Sequence, residues 1–128
     1  MHHIDLQKAS PVAVHFVFPD EVKSDLGTLG LTVMEASVAD VITDKELFSV
    51  ISSAMQFPDY FGNNWDALDE CLGDMEWLPS DGYLLVLRDA AIGWAKSPYQ
   101  LGRFVTSWLE ASEYWTENST PFHLLFVM

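Results

Sequence analysis

Apolar residues recur along this chain in two rhythms, and the rhythms divide it into strands and helices. The run Val12 to Phe18 has the density of β-branched and aromatic residues that suits a strand, and Pro19-Asp20 closes it. A polar stretch through Gly27 and Gly30 follows, and Leu31 to Val38 predicts a second strand. Tyr83 to Leu87 and Phe122 to Val127 are almost uninterrupted apolar runs, the pattern of strands covered on both faces in a parallel sheet. Between the strands the period lengthens to that of a helix. Thr43-Asp44-Lys45-Glu46 has the form of a capping box, and Leu47, Val50, Ile51 and Met55 continue it as an amphipathic helix that must stop before Pro58. Tyr60 to Asn63 reads as a turn, with Asn64 as N-cap of a short helix reaching about Leu72. Ser97-Pro98 opens a third helix whose buried side carries Leu101, Phe104, Val105, Trp108 and Trp115. The expected fold is α/β: one domain over residues 1–128, a small parallel β-sheet flanked by helices, with the N-terminal strand added at an edge.

Charge changes the picture from fold to partner. Nineteen acidic residues against six basic ones give a formal charge of -13. Such a surface repels nucleic acid and anionic membranes and attracts cationic proteins. Cys71 is the single cysteine, so no internal disulfide can form, and no targeting or membrane-spanning run is visible. A soluble cytoplasmic protein without cofactor is the expectation.

The charge is concentrated where it costs stability. Asp59, Asp66, Asp69, Glu70, Asp74, Glu76 and Asp81 lie between Asp59 and Leu87 with no lysine or arginine among them. On a helix, Trp65, Leu68 and Leu72 share one face, while Asp66, Asp69 and Glu70 share another, with Asp74 a turn beyond or just past the end. Like charges at these spacings destabilise a helix by roughly 0.2–0.5 kcal/mol per pair. A solvated face would explain exposure, but a locally unfavourable arrangement also marks functional surfaces. Catalysis is a poor reading, since no histidine, lysine or serine stands nearby in sequence to complete a set. His15 and His123 are isolated on predicted strands and read as satisfied histidines rather than metal ligands. Trp65 and Trp108 fit the core, whereas Trp77, Trp94 and Trp115 are expected in or near loops.

The sixteen residues Phe57-Pro58-Asp59-Tyr60-Phe61-Gly62-Asn63-Asn64-Trp65-Asp66-Ala67-Leu68-Asp69-Glu70-Cys71-Leu72 closely resemble the signature of the barstar-like family, intracellular inhibitors of secreted barnase-type ribonucleases. The likeness extends loosely over Leu31 to Met128 and leaves residues 1–30 as an N-terminal extension. It implies a parallel sheet flanked by helices and an equimolar complex with a basic extracellular or toxin ribonuclease. Asp66 and Glu70 match the helix acids that engage the enzyme's catalytic basic groups, Tyr60 matches an aromatic contact, and Cys71 a structural thiol. Glu110 and Trp77 correspond to a further acid and a contact tryptophan. With Asn64, Asp69 and Asp74 these form the expected partner-binding set, with no catalytic and no metal-binding residue. Asp69 stands where the family's known inhibitor has tryptophan, and Glu70 where it has aspartate. The rival function is an acidic module that mimics nucleic acid toward another basic protein, such as a DNA-binding factor.

Overall fold

The computed structural model describes residues 4–22 and 26–128. Four strands, β1 (Val14–Val17), β2 (Thr32–Ser37), β3 (Tyr83–Arg88) and β4 (Phe122–Val127), form one wholly parallel sheet in the order β1-β4-β3-β2. The helices are α1 (Asp44–Ala54), α2 (Trp65–Asp74), α3 (Ala90–Lys96) and α4 (Pro98–Glu117), with one-turn 3-10 helices at Pro19–Glu21 and Leu26–Leu29. Among the described residues no helix is long and apolar enough to cross a membrane.

Local signals account for most of the helix boundaries. The Thr43 hydroxyl accepts from the Glu46 amide at 3.3 Å, and the Glu46 carboxylate accepts from the Thr43 amide at 2.9 Å, so the expected capping box starts α1. The amides of Thr43 and Ile42 together hold the Glu46 carboxyl below its usual pKa. Pro98 stands in the first turn of α4, where a missing amide N–H is harmless.

The helix α3 does not show in the sequence pattern, and Trp94 sits on it rather than in a loop; Trp115 lies near the end of α4, on the helix whose apolar pattern includes it. Two turns over Ala90–Lys96 are too short and too weakly capped to announce themselves. Tertiary contact holds them instead: a Cβ at Gly93 would come within 2.6 Å of the Val38 side chain, so glycine alone lets this helix lie on the end of β2.

Alternation along β3 and β4 divides their side chains between two cores, the odd residues of β3 joining the even residues of β4. Tyr83, Leu85, Leu87, Phe122, Leu124 and Phe126 pack beneath Leu47, Ile51, Leu68, Leu101, Phe104 and Trp108 of the helices. Leu84, Val86, Leu125 and Val127 point to the other face, where Ile4, Leu6, Val22, Leu26 and Leu31 cover them. The N-terminal segment therefore supplies both an edge strand and the lid of the second face. That double cover is why these two strands lack polar alternation.

His15 and His123, 108 residues apart, meet on this second face at 2.9 Å, and His123 Nε2 lies 2.8 Å from the Lys8 carbonyl. A carbonyl only accepts, so His123 Nε2 carries its proton, and its Nδ1 accepts from His15 Nε2–H. Burial first, then the charge on His123, lowers the His15 pKa to about 4. Between about pH 6.5 and 4 the unfolded chain takes up a proton that folded His15 refuses, so its stabilising contribution, complete at neutral pH, falls as pH falls. His15→Gln keeps a donor without titrating. Thermal melts of both proteins are expected to diverge through that window, the native chain losing stability faster on acidification; parallel curves would show that His15 is not protected.

Candidate partner-binding surface

The loop before α2 sorts its aromatic residues by side. Phe61 turns inward, buried against Phe48 and Phe57, and its amide closes a turn onto the Pro58 carbonyl at 3.0 Å. Tyr60 turns outward and is 71% exposed. Asn63 takes the left-handed conformation at φ 54°, which asparagine tolerates better than most residues, and so aims the chain into the helix. Asn64 then caps α2, its side-chain oxygen accepting from the Ala67 amide at 2.8 Å. Its cap bond gives Asn64 a structural role at the foot of the acidic face.

The helix runs to Asp74, past the expected end near Leu72. Gly73 does not stop it; the left-handed cap is Met75 at φ 54°, whose buried side chain offsets the strain of that conformation. Asp74 is thus the last helical residue, at the end where the helix dipole opposes an anion, while Asp66 enjoys the favourable first turn. Leu68, Cys71 and Leu72 face the core, and Trp65 leans on it, edge-on to Phe48. Asp66, Asp69, Glu70 and Asp74 all point to solvent. Among the described residues none of these four carboxylates accepts a hydrogen bond or pairs with a cation, and the sole ion pair is Arg88 with Glu35 at 2.9 Å on the far strands. The like charges of one face are therefore left uncompensated by the chain's own cations.

Tyr60 returns along α2 toward its C-terminal end. Desolvation, then the fields of Asp74, the Cys71 sulfur and Glu76, raise the pKa of its phenol. Cys71 is buried, and burial followed by Asp74 and Glu70 raises its thiol pKa, which keeps it in the inert protonated form. Glu76, absent from the expected set, joins this cluster; its place in the cation-free stretch was the available signal.

Trp77 and Glu110 occupy the margins. Trp77 donates its indole N–H to the Met55 carbonyl at 3.1 Å and meets Phe57 edge-on, so its polar edge is committed to holding the turn after α2 against α1. Glu110 is exposed on α4 and lies in line with Arg103, about 10 Å along the helix. Arg103 in turn stacks over the Trp65 ring at 4.6 Å from its centre, and Trp115 donates to the Leu72 carbonyl at 2.8 Å. The first contact holds the start of α2 and the second its end, so α4 is the splint that keeps the acidic helix straight, with Glu110 beside it. Sequence spacing gave no sign of the Arg103 contact, because it joins residues 38 positions apart.

Together these elements define a small parallel α/β domain that displays a rigid, unpaired acidic helix and a protruding tyrosine. The family model described as Barstar (barnase inhibitor) matches residues 31–127, and the chain belongs to that family. The matched span holds β2 to β4 and all four helices and leaves β1 outside it. No curated protein sequence matches the chain.

Proposed function

We propose that this chain is a ribonuclease inhibitor or immunity protein, itself without catalytic activity, that blocks the active site of one basic microbial ribonuclease in an equimolar cytoplasmic complex. The observation that carries this reading is the set of exposed carboxylates on α2 with no partner of their own. A ribonuclease cleft converges arginine, lysine and histidine on a phosphate. Carboxylates on a fixed helix can accept the same forked hydrogen bonds from guanidinium groups while offering no phosphodiester to cleave. In this reading Asp66 and Glu70 enter the cleft, with Asp69 and Asp74 adding charge around them. Tyr60 covers one rim, and Glu110 and the outer edge of Trp77 meet the periphery. Asn64 holds the helix start.

Titrating the chain into a barnase-type enzyme that is cleaving RNA is expected to abolish turnover at one equivalent. Failure to bind any member of a broad panel of such enzymes, or turnover of RNA by the chain alone, would refute the proposal.

Association should show electrostatic steering. Long-range attraction is screened over about 10 Å at 0.1 M salt, so raising salt is expected to slow association by roughly tenfold or more while dissociation changes less. Exposed Asp81 lies off the helix, and Asp81→Asn is expected to lower the on-rate modestly with an unchanged off-rate. Asp66→Asn should chiefly raise the off-rate. Stopped-flow mixing at several ionic strengths reads both constants, and identical kinetic effects of the two changes would place the docking surface elsewhere.

A further inference from the structure

The outer edge of β1 is open and self-complementary. Ala13 and Val17 accept from the amides of Leu124 and Met128, both at 2.8 Å, which fixes the odd-numbered residues of this strand as the ones bonded to β4. In a parallel ladder the even residues then turn their N–H and C=O groups away, so Val14 and Phe16 present theirs beyond the sheet. Within the strand Val14 and Phe16 share the helix-side face by alternation, Phe16 stacking on Phe126. Along this edge Val12, Phe16 and Phe18 are 68%, 51% and 65% exposed. A shallow groove of about 500 Å³ runs along the same edge, lined by Val12, Val14, His15 and Phe16 together with Asp5 and Lys8 of the N-terminal segment.

Edge strands are ordinarily shielded by a charge, an internal proline or a bulge. This one has none within Val12 to Phe18: Pro11 and Pro19 stand at its ends, and no charged residue occurs from Ala9 to Pro19 in a chain of net charge -13. His15, with its pKa lowered to about 4, adds no charge at neutral pH. No acidic side chain of the strand itself would keep two copies apart: Asp5 at the groove has Lys8 of opposite sign beside it, and the Glu21 carboxylate lies beyond the strand's end, accepting from the Phe18 amide at 2.8 Å.

We propose that β1 is a homodimerisation edge, pairing antiparallel with β1 of a second copy about a two-fold axis at His15 to make one continuous eight-stranded sheet. The sequence Val12-Ala13-Val14-His15-Phe16-Val17-Phe18 selects a second copy as the occupant, because reversing it about His15 sets Val14 opposite Phe16 and Val12 opposite Phe18. Each such pair joins a β-branched side chain to an aromatic one, a favourable cross-strand combination. In this register the amides and carbonyls of Val14 and Phe16 exchange hydrogen bonds with those of Phe16 and Val14 across the axis. No residue of α2 or of the loop before it takes part, so the pairing is independent of ribonuclease binding.

Sedimentation of the full chain at neutral pH is expected to show a mass rising with concentration from 14.4 kDa toward twice that value. Hydrogen exchange should show the Val14 and Phe16 amides gaining protection with concentration, while those of His15 and Val17 are protected throughout. The double variant Val12→Lys, Phe18→Lys places like charges opposite each other and should be monomeric. Val12→Lys, Phe18→Glu places opposite charges in the same register and should restore the dimer. Both alter exposed side chains, and an unchanged circular dichroism spectrum confirms folding. A native chain that stays monomeric at its highest soluble concentration, a dimer unaffected by the double lysine change, or no recovery in the lysine–glutamate pair overturns the proposal.

Discussion

Replacing Asp66 or Glu70 with alanine is expected to weaken the inhibitory complex by about 2–5 kcal/mol, the range for truncating one member of a buried charge pair, to which barnase–barstar pairs themselves contribute. The magnitude arises on the enzyme's side: once the carboxylate is gone, a desolvated cation is left without its counter-ion. The free protein should hardly register either change. Neither carboxylate has an internal partner, and each removal relieves repulsion along α2 worth roughly 0.2–0.5 kcal/mol per pair. For Asp66 that relief offsets the small dipole benefit of the first turn. Isothermal titration against a cognate enzyme, beside thermal melting of the free variants, separates the two effects. Variants that bind normally but melt far earlier would make these acids structural.

Deleting residues 1–30 is expected to abolish cooperative folding, although the whole of the deleted segment lies outside the span that carries the family match. Leu84, Val86, Leu125 and Val127 are at most 4% exposed because that segment covers them. Uncovering four buried aliphatic side chains forfeits on the order of 10 kcal/mol, an upper bound. That figure is comparable to the whole stability of an ordinary domain. Calorimetry of the shortened chain should show no sharp transition. In the full-length chain, Leu84→Ala should cost about 2–5 kcal/mol through the cavity it leaves. A truncated chain melting within a few degrees of the intact one would mean that the N-terminal segment only lies against the sheet without stabilising it.

The sequence by itself determined the features whose causes lie within a few residues of one another. The Thr43–Glu46 capping box, the Asn64 cap, Pro98 at the start of α4 and the carboxylate spacing on α2 all depend on contacts no more than four positions apart, and each was legible. The unbroken apolar runs of β3 and β4 likewise announced cover on both faces. They could not say what supplies it. That cover comes from Ile4 to Leu31, reaching strands that lie some fifty to more than a hundred residues away. Tertiary structure alone decided the strand order β1-β4-β3-β2, the meeting of His15 with His123, and the Arg103 contact on Trp65. It also decided α3, which has little intrinsic reason to be helical until Gly93 is pressed onto Val38. The division is physical: caps and turns are settled by backbone hydrogen bonds along the local chain, whereas strand neighbours and face-covering segments are chosen by the burial of apolar area between distant parts of the sequence.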